Sequence, residues 1–183
     1  MRYSNRSARK FNVVSDRGSL VPREPTFSSG YVSDAGAAVS DDQIIATALG
    51  ILSRRIVGTT VLDNPRATRD YFAVRFAGLE HEVFACLYLD NRHRVIACEE
   101  LFRGTIDGTN VFPREVVKRA LVHNAAAVIF SHNHPSGISD PSHADELITR
   151  RLKDALSMVD IRVLDHIVTG GATTCSFAER GLL

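Results

Sequence analysis

The chain has no apolar run long enough to span a bilayer. Its longest, Ala120 to Phe130, is interrupted by His123 and Asn124, and it falls well short of the roughly 20 residues a spanning helix needs. The N-terminus is basic but has no continuous apolar stretch behind it, so no secretory signal is expected. Cysteine is scarce. Cys86, Cys98 and Cys175 form no CxxC pair, and three thiols cannot all pair with one another, which excludes a disulfide scaffold and predicts a reduced, cytoplasmic protein. An excess of one charge is also missing. The net charge is +1, too small to announce a nucleic-acid binder by itself. Internal repeats and low-complexity tracts are absent.

What is present is material for a core. Hydrophobic residues make up 44% and charged residues 23% of 183, enough for one domain plus a tail and incompatible with wholesale disorder. The charge is unevenly spread: residues 1–40 carry +3 and the remainder −2. That first stretch holds eight Ser, three Gly and two Pro with no apolar period, so a flexible leader is expected over 1–40. It can be a solvated tail, or an electrostatic contact for DNA or another acidic partner.

Beyond it the periods change in order. Ser40-Asp41-Asp42 caps a helix carrying Ile44, Ile45, Ala48, Leu49 and Leu52, which Gly58-Thr59-Thr60 ends; a second helix follows Asn64-Pro65 and runs to Gly78. Residues 41–78 are therefore expected as a short helical brace, and 79–183 as the main domain. Glu82 to Leu89 reads as a strand apolar on both faces, hence central in a sheet. Asp90-Asn91-Arg92-His93 turns the chain into a strand from Arg94 to Phe102. Pro113 opens a helix with Val116, Val117, Ala120 and Leu121 on one face. Ala125 to Ser131, Ile161 to Thr169 and a short Thr174–Phe177 complete the strands, with a helix from Asp140-Pro141-Ser142 between the first two of these. Interleaved strands and helices predict an α/β or mixed α+β class around a mixed sheet.

Chemistry concentrates in His132-Asn133-His134, with Ser142 and Asp145 downstream. On a strand, positions i and i+2 share a face, and paired imidazoles suit a transition metal such as zinc. On the following helix Ile148, Leu152, Ala155, Leu156 and Val159 cluster on one side, and Asp145 falls on that same inward side. A carboxylate aimed into a domain needs a partner. His132, His134 and Asp145 make a three-ligand set that leaves one tetrahedral position open, the pattern of catalytic zinc. Taken singly each feature has a plainer reading: HxH pairs are common, and Asp145 with Ser142 fits a capping box. Together they favour a metal. His143 is expected exposed, and His166 a satisfied interior histidine. His81, His93 and His123 have no evident partners in the sequence.

The pattern His132-x-His134-x7-Ser142-x2-Asp145 resembles the JAMM motif of JAB/MPN metalloproteases at every spacing. With Leu101-Phe102-x-Gly104-Thr105, Pro113-Arg114-Glu115, His134-Pro135-Ser136-Gly137, Asp165-His166-Ile167-Val168 and Ser176-Phe177-Ala178-Glu179, the chain from about residue 66 to 183 is similar to the RadC family, in particular its short members. The resemblance implies a JAB/MPN, cytidine-deaminase-like sandwich with a central mixed sheet flanked by helices. It implies Zn2+ on His132, His134 and Asp145, a general base at Glu82, and oxyanion stabilisation by Ser142. Nothing local sets Glu82 apart from Glu80, Glu99 or Glu100. The activity implied is hydrolysis of a peptide or isopeptide bond in a peptide or protein substrate. Two alternatives stay open: an accessory role in DNA repair or recombination, which is the family's long-standing label, and a zinc-holding scaffold without activity. The helix-hairpin-helix region of full-length RadC proteins has no counterpart in residues 1–65, so DNA binding through it does not carry over.

Overall fold

The computed structural model describes residues 39–56, 65–105 and 108–183. The expected leader, apart from its last two residues, and the Gly58-Thr59-Thr60 break lie outside the described residues. Among the described residues four helices and five strands follow in the order α1 (Asp41–Ile56), α2 (Pro65–Arg75), β1 (Val83–Leu89), β2 (Val95–Arg103), α3 (Pro113–Val122), β3 (Ala127–Asn133), α4 (His143–Ser157), β4 (Arg162–Gly170) and β5 (Thr173–Ser176). The strands form one sheet in the order β2-β1-β3-β4-β5. β3 and β4 are parallel and all other pairs antiparallel, so the mixed α/β sheet expected from the sequence is present. Among the described residues no helix is long and apolar enough to cross a membrane.

Two cores sit on the two faces of this sheet, and period-2 alternation along the strands feeds both. On β1, Val83, Ala85, Leu87 and Leu89 join Tyr71, Phe72 and Phe76 from the α2 region, with Ala127 and Ile129 of β3. Phe84, Cys86 and Tyr88 point the other way, to Val116 and Ala120 of α3, Leu152 and Leu156 of α4, and Val128 and Phe130 of β3. Every residue of β1 is buried, as expected for a central strand. Each fully buried large side chain here contributes roughly 1.5–3 kcal/mol relative to its exposed state.

This arrangement positions the chemistry. His132 follows Val128 and Phe130 at intervals of two, so it faces α3 and α4. Because β3 and β4 are parallel, the chain must cross over between them, and α4 is that crossover. Its N-terminus therefore lies at the end of the sheet where β3 finishes. The turn that permits this is Pro135-Ser136-Gly137, where Gly137 has φ +81 and donates its amide to the His134 carbonyl at 3.0 Å. Some boundaries depart from the sequence reading. β1 begins at Val83, leaving Glu82 just before the strand. α4 ends at Ser157, so Val159, expected on the inward face, falls in the following turn and is 36% exposed.

Candidate metal centre

β3 ends at Asn133, but the His134 amide bonds the Thr169 carbonyl at 2.8 Å. The ladder thus persists one residue further and keeps both imidazoles on one face. Their Nε2 atoms are 3.0 Å apart. Asp145 approaches both: Oδ1 lies 3.2 Å from His132 Nε2 and Oδ2 3.4 Å from His134 Nε2. One ligand atom from each of the three lies within 4.8 Å of the others. His132 is 1% exposed, while His134 and Asp145 are partly open, so the cluster sits at the base of a cleft.

The donor chemistry of these atoms fits a cation. His134 Nδ1 lies 2.8 Å from the Ile138 carbonyl. A carbonyl only accepts, so Nδ1 carries the proton and the Nε2 of neutral His134 is a bare lone pair. That carbonyl is held close because Gly170 lacks a side chain: a Cβ there would stand 2.4 Å from Ile138 C and Ser139 N. A carboxylate beside such a nitrogen makes an electron-rich set with one open side, which suits a divalent metal ion. Burial pushes the Asp145 carboxyl up, but in the metal-free protein the facing His132 and His134 rings, which donate from Nε2 only when protonated on both nitrogens, together with the Ser142 hydrogen bond outweigh it and hold the group well below the usual carboxylate range. The Asp145 carboxylate in turn favours the doubly protonated His134 ring and so raises its pKa.

Ser142 and Asp145 also form the capping box of α4. The Ser142 hydroxyl accepts from the Asp145 amide at 3.2 Å, while Asp145 Oδ2 accepts from the Ser142 amide at 2.7 Å and from its hydroxyl at 2.6 Å. The capping reading and the ligand reading are therefore one arrangement: the cap orients the carboxylate toward the histidines. Ser142 lines the cleft beside Asp145.

Glu82 lines the same cleft, from the residue just before β1. Its backbone is tightly held. The Glu82 amide bonds the Thr105 carbonyl at 3.0 Å, and its own carbonyl accepts from the Gly104 amide at 2.8 Å and Thr109 Oγ1 at 3.3 Å. Asn133, between the two histidines, grips both neighbours of Glu82: its Nδ2 donates to the His81 carbonyl at 3.0 Å and its Oδ1 accepts from the Val83 amide at 2.8 Å. Burial raises the Glu82 carboxyl pKa, with His132 pulling it back down and Asp145 pushing it further up. The other three glutamates are elsewhere. Glu80 is exposed, Glu99 pairs with Arg119 and His123, and Glu100 pairs with Arg75.

His143 is exposed as expected. His166 is a satisfied interior histidine as expected, at 0% exposure, with burial and then His132 depressing its pKa. It nevertheless touches the cluster, with Nε2 2.8 Å from His132 Nδ1. Asn133 and Thr149 are missed by the sequence reading, because their contacts reach across 50, 52 and 17 residues of chain. His123, which shows no partner in the sequence, pairs with Glu99 and packs its ring 4.4 Å from that of Tyr88.

Comparison with known proteins agrees with this architecture. The family model described as a RadC-like JAB domain matches residues 62–182. A UPF0758 protein of Nitrosococcus oceani is 67% identical over 123 residues, covering 67% of this chain and 55% of the relative. One of Thioalkalivibrio sulfidiphilus is 64% identical over 132 residues, covering 72% and 59%. One of Leptothrix cholodnii is 48% identical over 170 residues, covering 91% and 75%. The chain therefore spans little more than half the length of the first two. The resemblance read from the motifs, the mixed sheet and the matched span agree: this chain belongs to the RadC-like JAB domain family.

Proposed function

We propose that the protein is a zinc-dependent hydrolase of the JAMM type, acting on a peptide or isopeptide bond. The observation that carries this reading is the meeting of His132, His134 and Asp145, with ligand atoms within 4.8 Å, in a cleft that Glu82 also lines. Zn2+ held by these three residues would act as a Lewis acid and lower the pKa of a coordinated water to about 7. Glu82 is the general base: its carboxylate takes a proton and returns it to the leaving amine. Its raised pKa supports the role, since a base works best when its pKa approaches the working pH. Ser142 stabilises the oxyanion by turning its hydroxyl from Asp145 to the substrate oxygen. Three free thiols, two of them buried, suit a cytoplasmic setting.

Elemental analysis of the purified protein is expected to find about one zinc per chain, since three such ligands converge once among the described residues. A peptide library screened on the zinc-loaded protein should then reveal cleavage. Absence of stoichiometric zinc would overturn the reading. The alternative, a DNA-repair accessory without peptidase activity, draws on the +3 charge of residues 1–40. Salt-dependent DNA binding by a protein that cleaves no peptide would favour it.

A further inference from the structure

Behind the three candidate ligands lies a line of buried polar groups that the hydrolytic reading does not use. Thr149 Oγ1 lies 2.5 Å from the Asp145 backbone carbonyl and 2.6 Å from His166 Nδ1. His166 Nε2 lies 2.8 Å from His132 Nδ1. Thr149, His166 and His132 are each at most 1% exposed, so water does not compete for these bonds.

The directions of the bonds follow from what each atom can do. The Asp145 carbonyl only accepts, so the single Thr149 hydroxyl proton goes to it. The Thr149 oxygen must then accept, and His166 Nδ1 must carry a proton. A neutral His166 with a proton on Nδ1 has a bare Nε2, which accepts from His132 Nδ1. Neutrality suits the surroundings: the His166 ring is packed among Phe84, Phe130 and Phe177 at centroid distances of 5.5, 5.9 and 4.8 Å. His132 then carries its proton on Nδ1 and turns its Nε2 lone pair toward His134 and Asp145.

We infer that Thr149 and His166 are positioning residues, a proton-ordered relay that fixes His132 as the Nδ1–H tautomer and presents its Nε2 as a ligand. The reverse order, with Thr149 donating to His166, would place a proton on His132 Nε2 and block it. His134 is set by a separate device, the Ile138 carbonyl, so the two imidazoles are oriented independently. The relay runs through the first turns of α4: the helix that supplies Asp145 as a ligand also supplies, through the Asp145 carbonyl and Thr149, the origin of the order. The functional consequence rests on the metal reading above, but the tautomers do not. Partners of this kind behind a metal-bound histidine typically affect affinity by about 10–100-fold.

The test uses the full chain labelled with 15N-histidine, with long-range 1H–15N spectra at neutral pH before and after addition of zinc. Both states should show His166 protonated on Nδ1 and bare at Nε2, with His132 protonated on Nδ1. Zinc affinity, read by competition with a chromophoric chelator, should weaken about 10–100-fold in Thr149→Val and return close to wild type in Thr149→Ser, which restores the hydroxyl. A purely structural Thr149 would leave the His166 tautomer unchanged in Thr149→Val. A protonated His166 Nε2 in the wild type, or unaltered tautomers and zinc affinity in Thr149→Val, would overturn the relay. Correct tautomers in a protein that takes up no zinc would uphold the relay and sink the metal reading instead.

Discussion

Replacing Glu82 by Gln isolates the proposed proton transfer from everything else the residue does. The change is nearly isosteric and occurs where the backbone cannot drift. Three bonds hold Glu82 itself, and Asn133 clamps the residues on either side. The side chain therefore keeps its place in the cleft but can no longer accept a proton at neutral pH. A base positioned for transfer contributes typically 10²–10⁴-fold, so the single-turnover rate should fall at least about a hundredfold, or about 2.7 kcal/mol of barrier. Stability should move the other way or stay level. Burial raises the folded-state pKa of Glu82, so ionisation in the fold opposes stability as pH rises through that pKa, and a neutral Gln removes this opposition at pH 7. Zinc content should be unchanged. The same replacement at Glu80, Glu99 or Glu100 serves as the control, because the first is exposed and the other two are held by Arg119 and Arg75 outside the cleft. Near-normal turnover by Glu82→Gln, with collapse at one of the other three, would refute the assignment and move the base.

Three further outcomes are expected. His134→Ala or Asp145→Ala should lose stoichiometric zinc by elemental analysis, and full retention in either would remove that residue from the ligand set. Asn133→Ala strands the His81 carbonyl and Val83 amide; an unsatisfied buried group costs about 1–3 kcal/mol, so melting should drop by several degrees, and an unchanged melting temperature would refute the clamp. In the metal-free protein, the depressed Asp145 pKa contributes stability that is present above the unfolded value and lost as pH falls through the folded one. The melting-temperature gap between wild type and Asp145→Asn should therefore be widest near neutrality and narrow in acid; a gap independent of pH would refute it.

The sequence alone determined what is local. A run apolar on both faces identified β1 as a buried central strand, and HxH at a strand end placed two imidazoles on one face. The inward Asp145, three residues beyond its cap, declared both the start of α4 and the carboxylate it carries. These features need only the repeat of a strand or helix and a cap. Which distant groups meet them was decided by tertiary structure. Glu82 could not be told from three other glutamates until the antiparallel register that sets Phe84 opposite His132 laid the start of β1 beside the candidate metal ligands. His166 reads as ordinary interior until the parallel pairing of β3 and β4 brings its ring against His132. Thr149 joins it only because α4 crosses over that face of the sheet. Strand order and register arise from two hydrophobic cores packing simultaneously on opposite faces, a balance over the whole domain that no short stretch of sequence displays.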